Sequence, residues 1–325
     1  AGCQAMTRKE LKALDREIPW REILARDPET IRAYIQAVHK EADSWEKYES
    51  VRSLSEVEIG KLLKDPRLRR RIMKSRACYR DKNVGKPPLK AKCRVVAIGC
   101  QDADLFSLPR NTSTPLRSTF YILLHVRASG GTTWGLVAAD AEAAFLQGKQ
   151  EGRSEPIYMY APDDPIIKQS GRFASSRVYE IIGNVYGAVN APYLWAKEVA
   201  RRLLGKGFRS HSLDELCFLK FDSNGKLCCL LIFHVDDCLV TWNKTTYDID
   251  ELKQLFAWGS WTHDNFTWCG REVTTIAPDH LVVGQLTYIQ GTTCGFVEKE
   301  SLAPPVPLSP AQRTEFKSCI GSLQY

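Results

Sequence analysis

A chain of 325 residues that is 44% hydrophobic and 26% charged is long enough for one large or two to three smaller packed units, and its composition is that of a globular protein rather than a disordered tail. No apolar run reaches the roughly 18 residues that span a bilayer, and the charged, helix-like start lacks the apolar core of a secretion signal. These features exclude a membrane role and predict a soluble intracellular protein. Eleven cysteines fall without a repeated spacing, which predicts reduced packing thiols rather than a disulfide frame or a zinc cluster. Cys228 and Cys229, the one adjacent pair, are expected on opposite faces of a strand. The net charge of +7 is uneven: between Lys61 and Arg94 fourteen basic residues face two acidic ones, a local +12 that leaves −5 on the remainder. Such a stripe fits a solvated helix face or a polyanion-binding surface, and its continuation into strand-like sequence favours nucleic acid or nucleotide phosphate.

In chain order, Asp27-Pro28-Glu29-Thr30 reads as an N-cap with proline at the first helical position, and Ile31, Tyr34, Ile35, Val38 and Trp45 then share one helical face. Ser55 and Glu58 have the spacing of a capping box before a second, shorter helix. Residues 1–76 are therefore expected to be mainly helical, with no recognisable chemistry. Residues 93–99 are strand-like, Thr114-Pro115 opens a helix, and residues 133–140 form a strand that ends on a carboxylate. Further strands are expected at 156–160 and 177–182, a helix at 192–204, and a meander from 217 into the apolar run 228–240. Beyond Trp242 come a short polar helix near 249–256, a meander over 266–283 and a proline-rich linker at 303–307. Helices alternating with mostly antiparallel strands predict an α+β fold rather than a doubly wound α/β one.

Asp236 and Asp237 lie inside that apolar run, where two neighbouring carboxylates repel and lose hydration unless a cation or a donor array compensates them. A tight turn, in which aspartate bonds nearby backbone N–H groups, is one account of the pair. The other adds Asp140, at the end of a strand. A strand-end carboxylate and a hairpin pair are the parts needed to hold two divalent cations, which in phosphoryl transfer activate an attacking hydroxyl and neutralise phosphate. Adjacent strand residues face opposite ways, so Asp140 and Asp236 are expected to ligate metal, with Asp237 at the turn in support.

The chain resembles the reverse transcriptases of copia-type LTR retrotransposons. His234-Val235-Asp236-Asp237 matches their Tyr-Val-Asp-Asp hallmark, and Ala139-Asp140-Ala141-Glu142-Ala143-Ala144-Phe145-Leu146-Gln147-Gly148 is similar to Leu-Asp-Val-Lys-Thr-Ala-Phe-Leu-His-Gly. Tyr186-Gly187-Ala188-Val189-Asn190-Ala191-Pro192 resembles Tyr-Gly-Leu-Lys-Gln-Ala-Pro, and Lys90-Ala91-Lys92-Cys93-Arg94-Val95-Val96-Ala97-Ile98-Gly99 resembles Lys-Ala-Arg-Leu-Val-Ala-Arg-Gly. Further matches lie at Pro156-Ile157-Tyr158-Met159, Gln285-Leu286-Thr287-Tyr288-Ile289 and Ile320-Gly321-Ser322-Leu323-Gln324-Tyr325. Their order agrees with the family from about residue 77 onward.

The resemblance implies a right-hand polymerase behind a helical N-terminal segment. Residues 1–76 would be that segment, 77–245 the fingers and a palm with an antiparallel sheet, and 246–325 the thumb and the start of the connection. The chain is expected to be a piece of a longer Pol polyprotein, beginning after any protease or integrase and stopping before RNase H. The implied activity is RNA-directed DNA polymerase: nucleotidyl transfer from a dNTP to a primer 3′-hydroxyl with two Mg²⁺ ions, or Mn²⁺ in their place, on Asp140 and Asp236. Lys92 and Arg94 match residues that grip the triphosphate, Phe145 the steric gate against a ribose 2′-hydroxyl, and Asn190 the residue that touches the incoming nucleotide. Tyr186, Gly187 and His234 match primer or template contacts. The implied partners are an RNA or DNA template with its primer, dNTPs and the other Pol domains. The implied localisation is cytoplasmic, in a virus-like particle for an active element, or nuclear, and not secreted. His234 in place of tyrosine, Asn190 in place of glutamine, where it is also a good helix N-cap, Val189 in place of lysine and Ile98 in place of a basic residue depart from the pattern. These departures keep open a decayed, nucleic-acid-binding relic.

Overall fold

The computed structural model describes residues 15–84, 86–290, 309–311, 313, 314, 316, 317 and 321. Residues 17–284 form one compact unit, and the described residues 15, 16 and 285–290 are assigned to a second. The larger unit begins with helices α1 (Trp20–Leu24) and α2 (Pro28–Lys47), strand β1 (Val51–Ser53), helices α3 (Glu56–Lys64) and α4 (Pro66–Arg69), and strands β2 (Ile72–Met73), β3 (Ser75–Asp81) and β4 (Ala91–Ala97). It continues through α5 (Arg117–Ser129), β5 (Trp134–Ala141), β6 (Ile157–Tyr160), α6 (Pro165–Ser170), β7 (Val178–Ile181) and α7 (Ala191–Gly205). Strands β8 (Arg209–His211), β9 (Asp214–Phe221), β10 (Leu227–His234) and β11 (Asp237–Asn243), helix α8 (Asp250–Lys253), and strands β12 (Trp258–His263), β13 (Asn265–Trp268), β14 (Arg271–Ala277) and β15 (His280–Gly284) complete it. A last short helix, α9 (Leu286–Gln290), belongs to the smaller unit. The motif at 320–325 and the proline-rich linker lie outside the described residues, except Gly321. No described helix is long and apolar enough to cross a membrane.

The α+β expectation matches this mixture. A six-stranded antiparallel sheet in the order β12-β5-β11-β10-β9-β8 forms the platform. Its residues alternate between two cores, as a pleated strand buried on both faces requires. Leu231, Phe233, Val240 and Val137 pack under α7 with Trp195, Val199 and Leu203. Leu230, Ile232, Leu239 and Leu136 face α5 through Phe120, Leu123 and Leu124, together with Trp268 and Val273 of the three-stranded β13-β14-β15 sheet. Cys228 and Cys229 do not separate to opposite faces: a register shift between Leu227 and Cys229 places both in the α7 core, because a bulge breaks the two-residue period.

The N-terminal region is not purely helical. Val51–Ser53 and Ile72–Met73 are the outer strands of a four-stranded sheet, β1-β7-β6-β2, whose β2–β6 pairing is parallel. Strands this short are set by their partners rather than by their own propensity. The sequence signals for α2 and α3 are realised: Asp27 Oδ1 accepts from the Thr30 amide at 2.9 Å, and Ser55 and Glu58 form a reciprocal capping box, a device worth about 1 kcal/mol.

The ribbon β3–β4 is held from behind. Glu41 of α2 accepts the Val95 amide at 2.9 Å, and the buried Tyr79 hydroxyl donates to Asp164, the N-cap of α6, at 3.0 Å. Buried ion pairs fasten the following loop: Arg153 reaches Asp102 at 2.6 Å and Asp104 at 2.8 Å, and Arg71 reaches Asp104 at 2.5 Å. Arg71, counted in the basic stripe, is thus a structural cation rather than a surface one.

Candidate active site

Strands β10 and β11 are joined by a two-residue turn, Val235-Asp236, with His234 paired to Asp237. Val235 has φ 58°, a left-handed conformation that a β-branched residue adopts only when its surroundings enforce it. One such constraint is the Trp195 indole N–H, which donates to the Val235 carbonyl at 2.6 Å. The expectation that Asp237 occupies the turn is corrected. Asp236 is the turn residue, whereas Asp237 is the first residue of β11 and pairs directly with Asp140 of β5. The reason is register: the ladder runs one residue further toward the turn than the sequence suggests, and opposed residues of an antiparallel pair share a face.

One carboxylate oxygen from each of Asp140, Asp236 and Asp237 lies within 4.8 Å of the others. Burial, and then the Asp236 charge, push the Asp140 carboxyl above its ordinary range. Burial, with the charges of Asp236 and Asp140, raises Asp237 to about 6. Three half-buried carboxylates so close form a hard oxygen donor set that calls for divalent cations, and the chemistry of the set fits magnesium.

Asp140 and Asp236 open onto a cleft of about 760 Å³. Lys92 and Arg94, on one face of β4, also line it, together with Lys82, Lys90, Phe145 and Tyr186. Desolvation, and then the Arg94 and Lys82 charges, pull the Lys92 ammonium down to about 8, the mark of a cationic pocket that an anion would relieve. The Arg94 guanidinium stacks 4.3 Å over the Tyr186 ring, whose centroid lies 5.8 Å from that of Phe145. Gly187 presses its backbone against β4; with φ 84° and an Ala97 carbonyl oxygen 2.0 Å from where a Cβ would stand, the position admits no side chain.

Two residues expected near the substrate lie elsewhere. Asn190 is fully buried, is absent from the cleft lining, and neither side-chain polar atom has a partner among the described residues. Nor does it cap α7. Its φ of −101° and ψ of 7° are not the extended geometry that turns an N-cap side chain toward the helix amides, and Pro192 at the second helical position has no N–H to offer. His234 points to the β13–β14 hairpin, its ring 6.3 Å from that of Trp268.

Other residues of the site went unnoticed in the sequence. Lys40, Glu41 and Ser44 of α2 line the cleft, so the N-terminal segment contributes to it. The signal was Glu41, a carboxylate within the apolar stripe of Tyr34, Val38 and Trp45; burial raises its pKa, against hydrogen bonds from the Trp45 indole and the Val95 amide that lower it. Gly259, beside the register shift of β12, backs the Asp140 carboxylate, and a lone glycine over a hundred residues from its partner gives no local sign.

A family model described as reverse transcriptase (RNA-dependent DNA polymerase) matches residues 57–261. The chain is similar to a Saccharomyces cerevisiae protein described as "Putative transposon Ty5-1 protein", at 29% identity over 101 residues, covering 31% of this chain and 30% of that protein. It is also similar to a solved foamy viral protease-reverse transcriptase in complex with double-stranded DNA, with a TM-score of 0.39 and 10% identity, covering 100% of this chain and 54% of that one. The match therefore spans under a third of the transposon protein and about half of the viral one. With the family model over more than half its length and the transposon protein as a relative, the chain belongs to the copia-type reverse transcriptases of retrotransposons.

Proposed function

We propose that the chain is an RNA-directed DNA polymerase that adds dNTPs to a primer 3′-hydroxyl, and the observation that carries this is the three-aspartate cluster, two of whose members, Asp140 and Asp236, line one cleft with Lys92 and Arg94. Asp140 and Asp236 would hold two magnesium ions, or manganese in their place, with Asp237 in support. When bound, these ions supply charge neutralisation at the phosphates and activation of the attacking hydroxyl. Lys92 and Arg94 grip the triphosphate, one as a point charge and the other as a planar fork. Arg94 is preset for this by its stacking on Tyr186, which also leaves that ring beside the template or primer. Phe145 occupies the space a ribose 2′-hydroxyl would need, and Gly187 lets the Tyr186 loop approach β4.

In this reading the β3–β4 ribbon and the four-stranded sheet are the fingers, the six-stranded sheet is the palm, and residues 246–325, apart from strand β12, which joins the palm sheet, supply the thumb and the start of the connection. Template and primer phosphates follow the basic stripe, which gives a salt-dependent, sequence-tolerant affinity. The remaining Pol domains, the integrase and RNase H, are its partners in a cytoplasmic particle or in the nucleus.

Primer extension on poly(rA)·oligo(dT) with Mg²⁺ tests the proposal: incorporation is expected, and Asp236→Asn should abolish it. Activity that survives this substitution overturns the mechanism. The burial of Asn190 away from the cleft favours a second reading, a nucleic-acid-binding relic. That reading predicts the same salt-sensitive binding without Mg²⁺-dependent incorporation.

A further inference from the structure

His234 closes β10, Asp237 opens β11, and the two are register partners. Against them stands Cys269, in the two-residue turn Cys269-Gly270 between β13 and β14. A ring nitrogen of His234, a carboxylate oxygen of Asp237 and the Cys269 Sγ lie within 4.8 Å of one another, and all three residues are half-buried. The Cys269 Sγ is 4.0 Å from Asp237 Oδ2. Around a tetrahedral zinc ion, metal–sulfur bonds of about 2.3 Å and metal–nitrogen or metal–oxygen bonds of about 2.0–2.1 Å put sulfur roughly 3.5 Å from its neighbours. A contraction of about half an ångström between Sγ and Oδ2, and of at most roughly 1.5 Å for the imidazole, at the tip of a hairpin would complete such a set.

Turn chemistry does not account for the cysteine. Cys269 has φ 46° and Gly270 φ 76°, positions that favour asparagine, aspartate or glycine. Nor does the donor set suit magnesium, since thiolate and imidazole select softer cations. We propose that His234, Asp237 and Cys269 form a site for a thiophilic divalent cation, zinc in the first instance, which inhibits the polymerase by drawing the Asp237 carboxylate out of the aspartate cluster. Binding releases the thiol proton to solvent and forms a metal–thiolate bond, with water in the fourth position and no change of oxidation state. The inhibitory consequence rests on the polymerase reading above; the binding does not.

Metal-protected alkylation of the whole, unmutated chain tests the site directly. Iodoacetamide labelling followed by peptide mass spectrometry should show Cys269 protected at least tenfold by Zn²⁺, while the exposed Cys100 labels equally with and without it. Equal labelling of Cys269 overturns the proposal. In a Co²⁺ titration, a sulfur-to-cobalt charge-transfer band should appear and be lost in both Cys269→Ser and His234→Ala; a band that survives in both also overturns it. Zinc at the protecting concentration should reduce primer extension, with Cys269→Ser at least tenfold less sensitive relative to its own zinc-free activity. Equal sensitivity overturns the inhibitory coupling. Protection of Cys269 in a chain that extends no primer would support the site and refute the polymerase reading instead.

Discussion

The Oδ2 atom of Asp140 lies 2.9 Å from the point where a Cβ on Gly259 would stand. The carboxylate is therefore held against the backbone of β12 in a space that only glycine leaves open. Gly259→Ala should displace it from the other two aspartates, and a shift of this order in a reacting geometry costs about tenfold or more in rate. Gly259 is exposed and its φ is not positive, so the fold should tolerate alanine. Primer extension beside thermal melting checks this: a large fall in incorporation at nearly unchanged Tm is expected, and unchanged incorporation would count against the role.

Acid should stabilise the metal-free site. The Asp237 carboxyl is raised from 3.8 to about 6, so the folded state holds that proton more tightly than the unfolded chain does. The associated stability is fully present below pH 3.8 and is lost as the pH rises through about 6; the raised Asp140 acts in the same sense. In EDTA, Asp237→Asn should melt a few degrees above the unmutated protein at pH 8, with the gain shrinking toward pH 4. Added Mg²⁺ should raise the Tm of the unmutated chain more at pH 8 than at pH 5. A gain that does not depend on pH would refute the electrostatic account.

The Asp102 side chain is 0% exposed and paired with Arg153. Arg153→Met leaves that carboxylate buried without its cation, which should cost about 3–5 kcal/mol in urea unfolding. Asp102→Asn added to Arg153→Met removes the orphaned charge and should recover part of the loss. Equal stability of the single and double variants would show that the pair is not an electrostatic unit.

Val235→Gly sets two backbone effects against each other. Relief of a positive φ on a β-branched residue is worth about 1–3 kcal/mol, and the extra freedom of glycine in the unfolded chain costs about 0.5–1 kcal/mol. Relief should win, so the variant is expected to melt no lower than the parent while incorporating more slowly through a looser turn. A clear drop in Tm would mean that the turn is unstrained.

How much of this could be read from the residues depended on distance along the chain. Asp236-Asp237 announced itself because charge in an apolar strand is anomalous, and Asp140 because its strand ends on a carboxylate. The helices at Pro28 and Glu56 were legible from caps, which are local. What escaped notice was set by partners far away in sequence. The register that moves Asp237 from the turn to a position opposite Asp140 is a property of two strands. The pressure on Gly259 comes from a side chain on another strand, and the short strands β1 and β2 exist only because β7 and β6 lie beside them. Asn190 had the right residue type for a cap, but a backbone angle and the proline two residues on withheld the bond.

The two sides of the cleft differ in compliance. Asp140 and Asp237 sit on interior strands of a six-stranded sheet packed on both faces, an anvil that can deform only if the whole platform opens. Lys92 and Arg94 ride on a ribbon of two strands, a construction that is marginal by itself and owes its position to attachments such as the Glu41–Val95 and Tyr79–Asp164 bonds behind it. Thermal motion will accordingly concentrate on the cationic side, and the gap between the two will widen or narrow by the tilt of a clamp against a fixed base.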